Sequence, residues 1–350
     1  MAENKHILLI TTGGTIAGHS GEADREVLLS GASMQELAAK LMPVSLLQDG
    51  LAITVKELYN LDSTEIGPEH WEALVRLIDE YKEQCQGILI THGTNTLAYT
   101  ATALAFAFPD IPIPVILSGA QYPIGHPNTD GTSNLRAALL ACVHSSPVLA
   151  GVHVVFGESL LPGAQVSKRS ATALDAFNWP DRLVVGRFRQ SWEIDQEIWT
   201  RYKSSQDWPA QLQAPHAFST AGILQLRAFP GMSLSGMVSL AHAAELKALI
   251  LCGLGSGDLA AYHMPALQQL ASLKVPVIMH SQVPFAAATM RQNLPGRLLL
   301  EAGLAIPAGS MSLESTLIKL SILLAQGLAY DTIPGLMARN FCGEGSIVKG

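Results

Sequence analysis

Two threonine-bearing loops and one lysine hold the residue types from which an acyl-transfer site can be built. Thr12-Gly13-Gly14-Thr15-Ile16-Ala17-Gly18 follows the apolar run Ile7-Leu8-Leu9-Ile10, and Thr91-His92-Gly93-Thr94-Asn95-Thr96 follows Gly87-Ile88-Leu89-Ile90. Each reads as a buried strand ending in a glycine turn that presents a threonine. Threonine is a weak nucleophile until a base takes its proton or its pKa is lowered. A site that achieves this needs a second hydroxyl, a cation and backbone donors for the developing oxyanion. Thr15, Thr94 and a lysine would suffice, and Lys168, in the polar stretch Gln165-Val166-Ser167-Lys168, is the candidate. Taken singly, such a lysine is ordinarily a solvated surface residue and each glycine turn an ordinary strand-to-helix connection. Together they point to one shared site, because ligands of open α/β sheets bind outside the carboxyl ends of the strands.

The elements that must position these groups alternate along the chain. Strands are predicted over His6–Thr12, Ala52–Leu58, Gly87–Thr91, Val115–Ser118 and Val152–Phe156. Helical patterns fall at Met34–Leu41, Pro68–Gln84, Thr96–Ala107 and Ser133–Val143, with Asn95 and Asn134 at expected N-caps. Lys168 falls in a loop after the fifth strand. Such alternation signals a mainly parallel sheet covered by helices. The stretch Gln190–Phe218, with Trp192, Trp199 and Trp208, changes character and reads as a linker with some helix. A second alternating pattern follows, with strands at Gly222–Ala228, Ala248–Cys252 and Val275–His280. Its helices fall at Met237–Leu246, Ala261–Leu273 and Leu313–Gln326. The segment Leu313 to Leu328, interrupted by Glu314, Lys319 and Gln326, reads as an amphipathic helix. The expectation is an α/β protein with a larger N-terminal domain (1–200), a linker (201–218) and a smaller C-terminal α/β domain (219–350).

Composition narrows the function. A chain of 350 residues with 48% hydrophobic and 15% charged residues is a well-buried globular protein. Its net charge of −7, with no long Lys/Arg cluster, argues against nucleic acid as a partner. Cys85, Cys142, Cys252 and Cys342 form no CxxC pair and suit free thiols in a reducing compartment. Met1 to Ile10 reads as a first strand and not as a signal peptide. No stretch reads as a membrane span. A cytoplasmic protein is the expectation. There is no HExxH and no G-x-S-x-G elbow, so neither a metal nor a serine hydrolase of that type is expected.

The motifs are similar to those of the bacterial-type L-asparaginase/glutaminase family, most closely its cytoplasmic type I branch. TTGGTIAG (11–18) and THGTNTLAYTATAL (91–104) resemble the two family signatures. Ser118-Gly119-Ala120-Gln121-Tyr122-Pro123 and Thr129-Asp130-Gly131-Thr132-Ser133-Asn134-Leu135 match two further segments in the right order. The resemblance covers nearly the whole chain. It implies hydrolysis of L-asparagine to L-aspartate and ammonia through a threonine acyl-enzyme, without a cofactor. It also implies a homotetramer built from close dimers. It puts the nucleophile at Thr15, the second catalytic threonine at Thr94 and the catalytic lysine at Lys168. It puts the substrate-carboxylate contact at Ser63, flanked by Asp62 and Thr64. Gly14 and Gly93 supply the turns that bring backbone N–H groups to the substrate, and Ala120 lines the pocket behind it.

Two positions depart from the family pattern. Where the family has an aspartate that contacts the substrate α-ammonium, this chain has Asn95. The asparagine either rearranges the hydrogen bonding with asparagine still the substrate, or marks a substrate without an α-ammonium, or marks an engineered inactive variant. The family also places a tyrosine in the loop over the site. The segment His19 to Met34 has none, and counting back from Ser30-Gly31 puts Glu26 there.

Other readings compete. A non-catalytic binder of asparagine-like metabolites would not need Thr15, Thr94 and Lys168 together. The amidase subunit of a tRNA-dependent amidotransferase would need a further N-terminal domain, whereas this sequence starts at the first strand. The turn Gly253-Leu254-Gly255-Ser256-Gly257-Asp258 lacks the third spaced glycine of a dinucleotide site.

Overall fold

The computed structural model describes residues 6–14, 18–20, 26–28, 31–144, 149–178, 184–204, 206–210, 212–213, 215–284 and 286–345. The chain divides into two compact units, Met1–Gln206 with Gln213–His216, and Asp207–Leu212 with Ala217–Gly350.

The first unit contains β1 (His6–Gly13), β2 (Gly18–Ser20), β3 (Glu26–Leu28), β4 (Ala52–Leu61), β5 (Gly87–Thr91) and β6 (Pro114–Ser118). It continues with β7 (Gly151–Phe156), β8 (Ser159–Pro162), β9 (Ser167–Lys168), β10 (Phe177–Asn178), β11 (Gly186–Phe188) and β12 (Trp192–Ile194). Its helices are α1 (Gly31–Leu41), α2 (Val44–Gln48), α3 (Pro68–Tyr81), α4 (Leu97–Ala107), α5 (Gly131–Cys142) and α6 (Gln196–Ser204). Eight strands form one sheet in the order β12-β11-β8-β7-β6-β5-β1-β4. The five from β7 to β4 run parallel, and β8, β11 and β12 extend the sheet by antiparallel pairing.

The parallel strands explain themselves chemically. β5, β6 and β7 are buried along their whole length, which their unbroken apolar runs permit because helices cover both faces. On α3 the buried residues Trp71, Leu74, Val75 and Ile78 recur at helical spacing, and Pro68 opens the helix where no N–H is needed. α4 is buried almost all round. β1, β4, β5 and β6 therefore all end at one edge of a rigid sheet.

The second unit has a four-stranded parallel sheet of β13 (Ile223–Arg227), β14 (Ala248–Gly253), β15 (Val277–Ser281) and β16 (Ile306–Pro307). Its helices are α7 (Ser235–His242), α8 (Met264–Ser272), α9 (Leu294–Glu301), α10 (Leu313–Ala325) and α11 (Ile333–Ala338). The fold is the expected α/β class, a larger mainly parallel sheet and a smaller one.

Four local expectations need correction. Lys168 is not in a loop: it pairs with Phe177 across the short antiparallel ribbon β9–β10. Asn134 does not cap α5, which starts after Asp130; it lies within the helix and spends its side chain on Gly119 O, Asp130 and Gly157 N. The cap of α4 is Thr96 and not Asn95. α10 is not amphipathic, since Glu314 and Lys319 are buried with its apolar residues. The Lys319 ammonium is satisfied inside by Glu344 Oε1 at 2.7 Å, by Met337 O at 3.2 Å and by Arg339 O.

Candidate active site

Turns from three neighbouring strands meet at the carboxyl edge of the first sheet. β1 ends in Gly13-Gly14, both in the left-handed region at φ +93° and +77°. A Cβ on Gly14 would overlap the backbone of Gly93, and a Cβ on Gly93 would lie 2.7 Å from Ser63 Oγ. Glycine is required at both places because the three segments touch so closely that no Cβ fits between them. Gly14 N donates to Leu61 O at 3.1 Å, joining the first turn to the end of β4. Thr12 Oγ1 donates to Thr91 O at 2.9 Å, joining it to the end of β5.

The Ser63 segment follows β4 as a single 3₁₀ turn. Asp62 caps it, its carboxylate accepting from Thr64 N at 2.8 Å and from Thr64 Oγ1 at 2.6 Å. These two bonds, the hydroxyl's first, hold the Asp62 carboxyl below its ordinary value. Ser63 is buried; its Oγ accepts from Asn95 N at 3.2 Å and its carbonyl accepts from Thr96 Oγ1 at 2.5 Å.

Lys168 reaches the same place from β9. Its Nζ donates to Thr94 Oγ1 at 2.7 Å and to Asn95 Oδ1 at 2.9 Å. Burial lowers the Lys168 pKa from its ordinary value, because desolvation disfavours the ammonium. A lysine in contact with a threonine hydroxyl, its proton held less tightly than usual, can take and return that hydroxyl's proton.

Thr94, Asn95, Lys168, Asp62, Ser63, Thr64, Gly14 and Gly93 thus fall together. Ala120 is buried just past the end of β6. Thr15 lies outside the described residues. Glu26 lies on β3, paired with Ser20, and its side chain lies outside the description. Among the described residues, no group of three His, Cys, Asp or Glu could hold a metal ion, and no helix is long and apolar enough to cross a membrane.

Several supporting residues, most of them inside the motifs, have no role that the sequence alone assigns. His92 is fully buried between Gly93 O, 2.8 Å from its Nδ1, and Thr100 Oγ1, 2.9 Å from its Nε2. Trp71 Nε1 donates to the same Thr100 hydroxyl at 3.1 Å. An indole N–H only donates and a carbonyl only accepts, so the chain runs one way: Trp71 to Thr100, Thr100 to His92 Nε2, and His92 Nδ1–H to Gly93 O. Burial pushes His92 down to about 4, in keeping with a neutral ring. Asp130 braces the turn after β6, accepting from Gln121 N at 3.0 Å, Tyr122 N at 2.9 Å and Asn134 Nδ2 at 3.0 Å. The signal for both was available: a histidine and an aspartate inside motifs that are otherwise turn and core.

The chain matches the family model for the asparaginase N-terminal domain over residues 6–200 and that for the glutaminase/asparaginase C-terminal domain over residues 223–337. It is 34% identical over 343 residues to the L-asparaginase of Thermococcus kodakarensis, covering 97% of this chain and 98% of that one. The solved structure of the thermostable L-asparaginase from that organism superposes with a TM-score of 0.82 at 30% identity, over 97% of this chain and 99% of that one. L-asparaginase 1 of Escherichia coli is 30% identical over 351 residues, covering 98% of each chain. A glutamyl-tRNA(Gln) amidotransferase subunit of Aeropyrum pernix is 28% identical over 352 residues, covering 97% of this chain and 79% of that one. The fold and these matches define an enzyme of the amidohydrolase class. The chain belongs to the asparaginase family.

Proposed function

We propose that this enzyme hydrolyses the side-chain amide of L-asparagine to L-aspartate and ammonia through an acyl-enzyme on Thr15. The observation that carries the reading is the Lys168 Nζ contact with Thr94 Oγ1 at 2.7 Å, at the sheet edge where β1 ends at Gly13, two residues before Thr15 in the sequence. In this mechanism the Thr15 hydroxyl oxygen attacks the amide carbon. Its proton passes by way of Thr94 and Lys168 to the departing nitrogen, which leaves as ammonia. Water then attacks the resulting ester, its proton returns to Thr15 and the acid is released. Ser63, flanked by Asp62 and Thr64, holds the substrate carboxylate. Gly14 and Gly93 keep backbone N–H groups within reach of the oxyanion. Asn95 meets the substituent on the substrate α-carbon, and Glu26 and Ala120 complete the pocket. The working form is a tetramer of close dimers in the cytoplasm, and the partner is a small-molecule amide.

A second reading keeps this chemistry and changes the amide. It is favoured by Asn95, whose carbonyl is already engaged by Lys168 at 2.9 Å. Ammonia release over a panel of amides tests both. The panel comprises L-asparagine, D-asparagine, L-glutamine and des-amino analogues. Release from L-asparagine supports the first reading, release from other ω-amides alone the second, and release from none contradicts both.

A further inference from the structure

The structure presents the Asn95 carbonyl oxygen to Lys168 Nζ at 2.9 Å, the orientation required while the lysine is an ammonium, which has three donors and no acceptor. The amide nitrogen is on the other side of the same planar group. Among the described residues it has no protein partner, and Asn95 is exposed. The Asn95 backbone is pinned as well, its N–H donating to Ser63 Oγ at 3.2 Å. While Lys168 holds its proton, Asn95 therefore offers a substrate an N–H donor backed by a cation. Two such groups attract oxygen and repel an ammonium.

We infer that Asn95 selects a substrate whose α-carbon carries a hydrogen-bond acceptor, so that the enzyme prefers the monoamide of a hydroxy- or oxo-dicarboxylic acid to that of an amino-dicarboxylic acid. The inference rests on the amidohydrolase reading above, in which Asn95 meets the α-substituent. An aspartate at this position would keep one oxygen on Lys168 and turn the other outward, converting the donor into an anionic acceptor. Asn95 thus sets the polarity of this corner of the pocket. Because it is exposed, changing it leaves the packed core untouched.

The test compares three amides that differ only at the α-carbon: L-asparagine, the 4-amide of L-malic acid and succinamic acid. In the native enzyme kcat/KM for the malic amide should exceed that for asparagine by about tenfold, the scale set by a single charged hydrogen bond. Asn95→Asp should reverse the order, and Asn95→Ala should bring all three close together. Faster turnover of asparagine by the native enzyme overturns the inference. So does a change in Asn95→Asp that is equal for all three amides. If none of the amides releases ammonia, the amidohydrolase reading fails separately. Calorimetry with L-malate, succinate and L-aspartate then still decides the polarity. Tighter L-malate upholds the inference, and L-aspartate binding as tightly or more tightly overturns it.

Discussion

Lys168 touches two neutral oxygens, Thr94 Oγ1 and Asn95 Oδ1, and those two contacts set what it can do. Burial disfavours its charged form and Asn95 adds no negative charge to restore it. If neutral Lys168 is the base, activity rises with pH as the lysine loses its proton, and the lowered pKa moves that rise below the ordinary lysine range. Asn95→Asp puts a carboxylate beside the ammonium and favours the charged form, so the rise should shift to higher pH; kcat/KM measured against pH checks the sign. Thr94→Val and Lys168→Met should each lower kcat by about 10²-fold or more, and the double variant should lose little beyond either, because residues acting as a unit are not additive. Multiplied losses in the double variant would show two independent roles. The two threonine loops stood out in the sequence because glycine turns after apolar strands are local signals, whereas Lys168 was singled out through the family resemblance. The polarity of Asn95 was not legible, since it depends on Lys168, 73 residues away.

At the scale of elements, α3, α4 and the turn after β5 are tied by the relay from Trp71 through Thr100 and His92 to Gly93 O. Thr100→Val removes the acceptor of the Trp71 indole and leaves His92 Nε2 buried without its partner, at roughly 1–3 kcal/mol for the latter. A fall in the urea midpoint should report it, together with lower kcat as the Thr94 turn loosens; an unchanged midpoint would contradict the relay. Acid should attack the same region. Burial holds His92 at about 4 and His153 at about 3, against about 6.5 in an unfolded chain. As pH falls below about 6.5 the unfolded chain binds protons that the folded chain refuses. Stability is therefore whole above that pH and is lost progressively down to about pH 4 for His92 and about pH 3 for His153. Each unit of difference is about 1.4 kcal/mol, so each histidine withdraws a few kcal/mol, which urea titrations at about pH 7 and about pH 4.5 would reveal. Strand periodicity made the parallel core readable. The short ribbon β9–β10 was not readable, because two-residue strands carry no period, and neither was the burial of Lys319 on α10, because its ammonium is satisfied by groups 18 to 25 residues away.

Each unit carries its own sheet, mainly parallel in the first and parallel throughout in the second. In the second unit, Lys319 and Glu344 form a fully buried ion pair at 2.7 Å, with Glu344 also accepting from Phe341 N and Cys342 N at 2.9 Å. Removing one partner strands a buried charge, so Glu344→Ala should destabilise this unit by roughly 3–5 kcal/mol, whereas an apolar pair such as Lys319→Met with Glu344→Leu should recover much of that loss. Thermal unfolding distinguishes the two variants. The same unit exposes Phe229, Leu254, Tyr262, Val283, Leu294 and Leu298, apolar surface that association would cover. Light scattering should report four chains, and a stable, active monomer would contradict the proposed tetramer.

If amide cleavage passes through the Thr15 hydroxyl, Thr15→Ala must abolish ammonia release. The assay uses the amide that the native enzyme turns over fastest, with circular dichroism to establish that the variant is folded. A folded protein whose release falls to background is the expected result; a folded Thr15→Ala that releases ammonia at a rate near that of the native enzyme would contradict a nucleophilic role for Thr15.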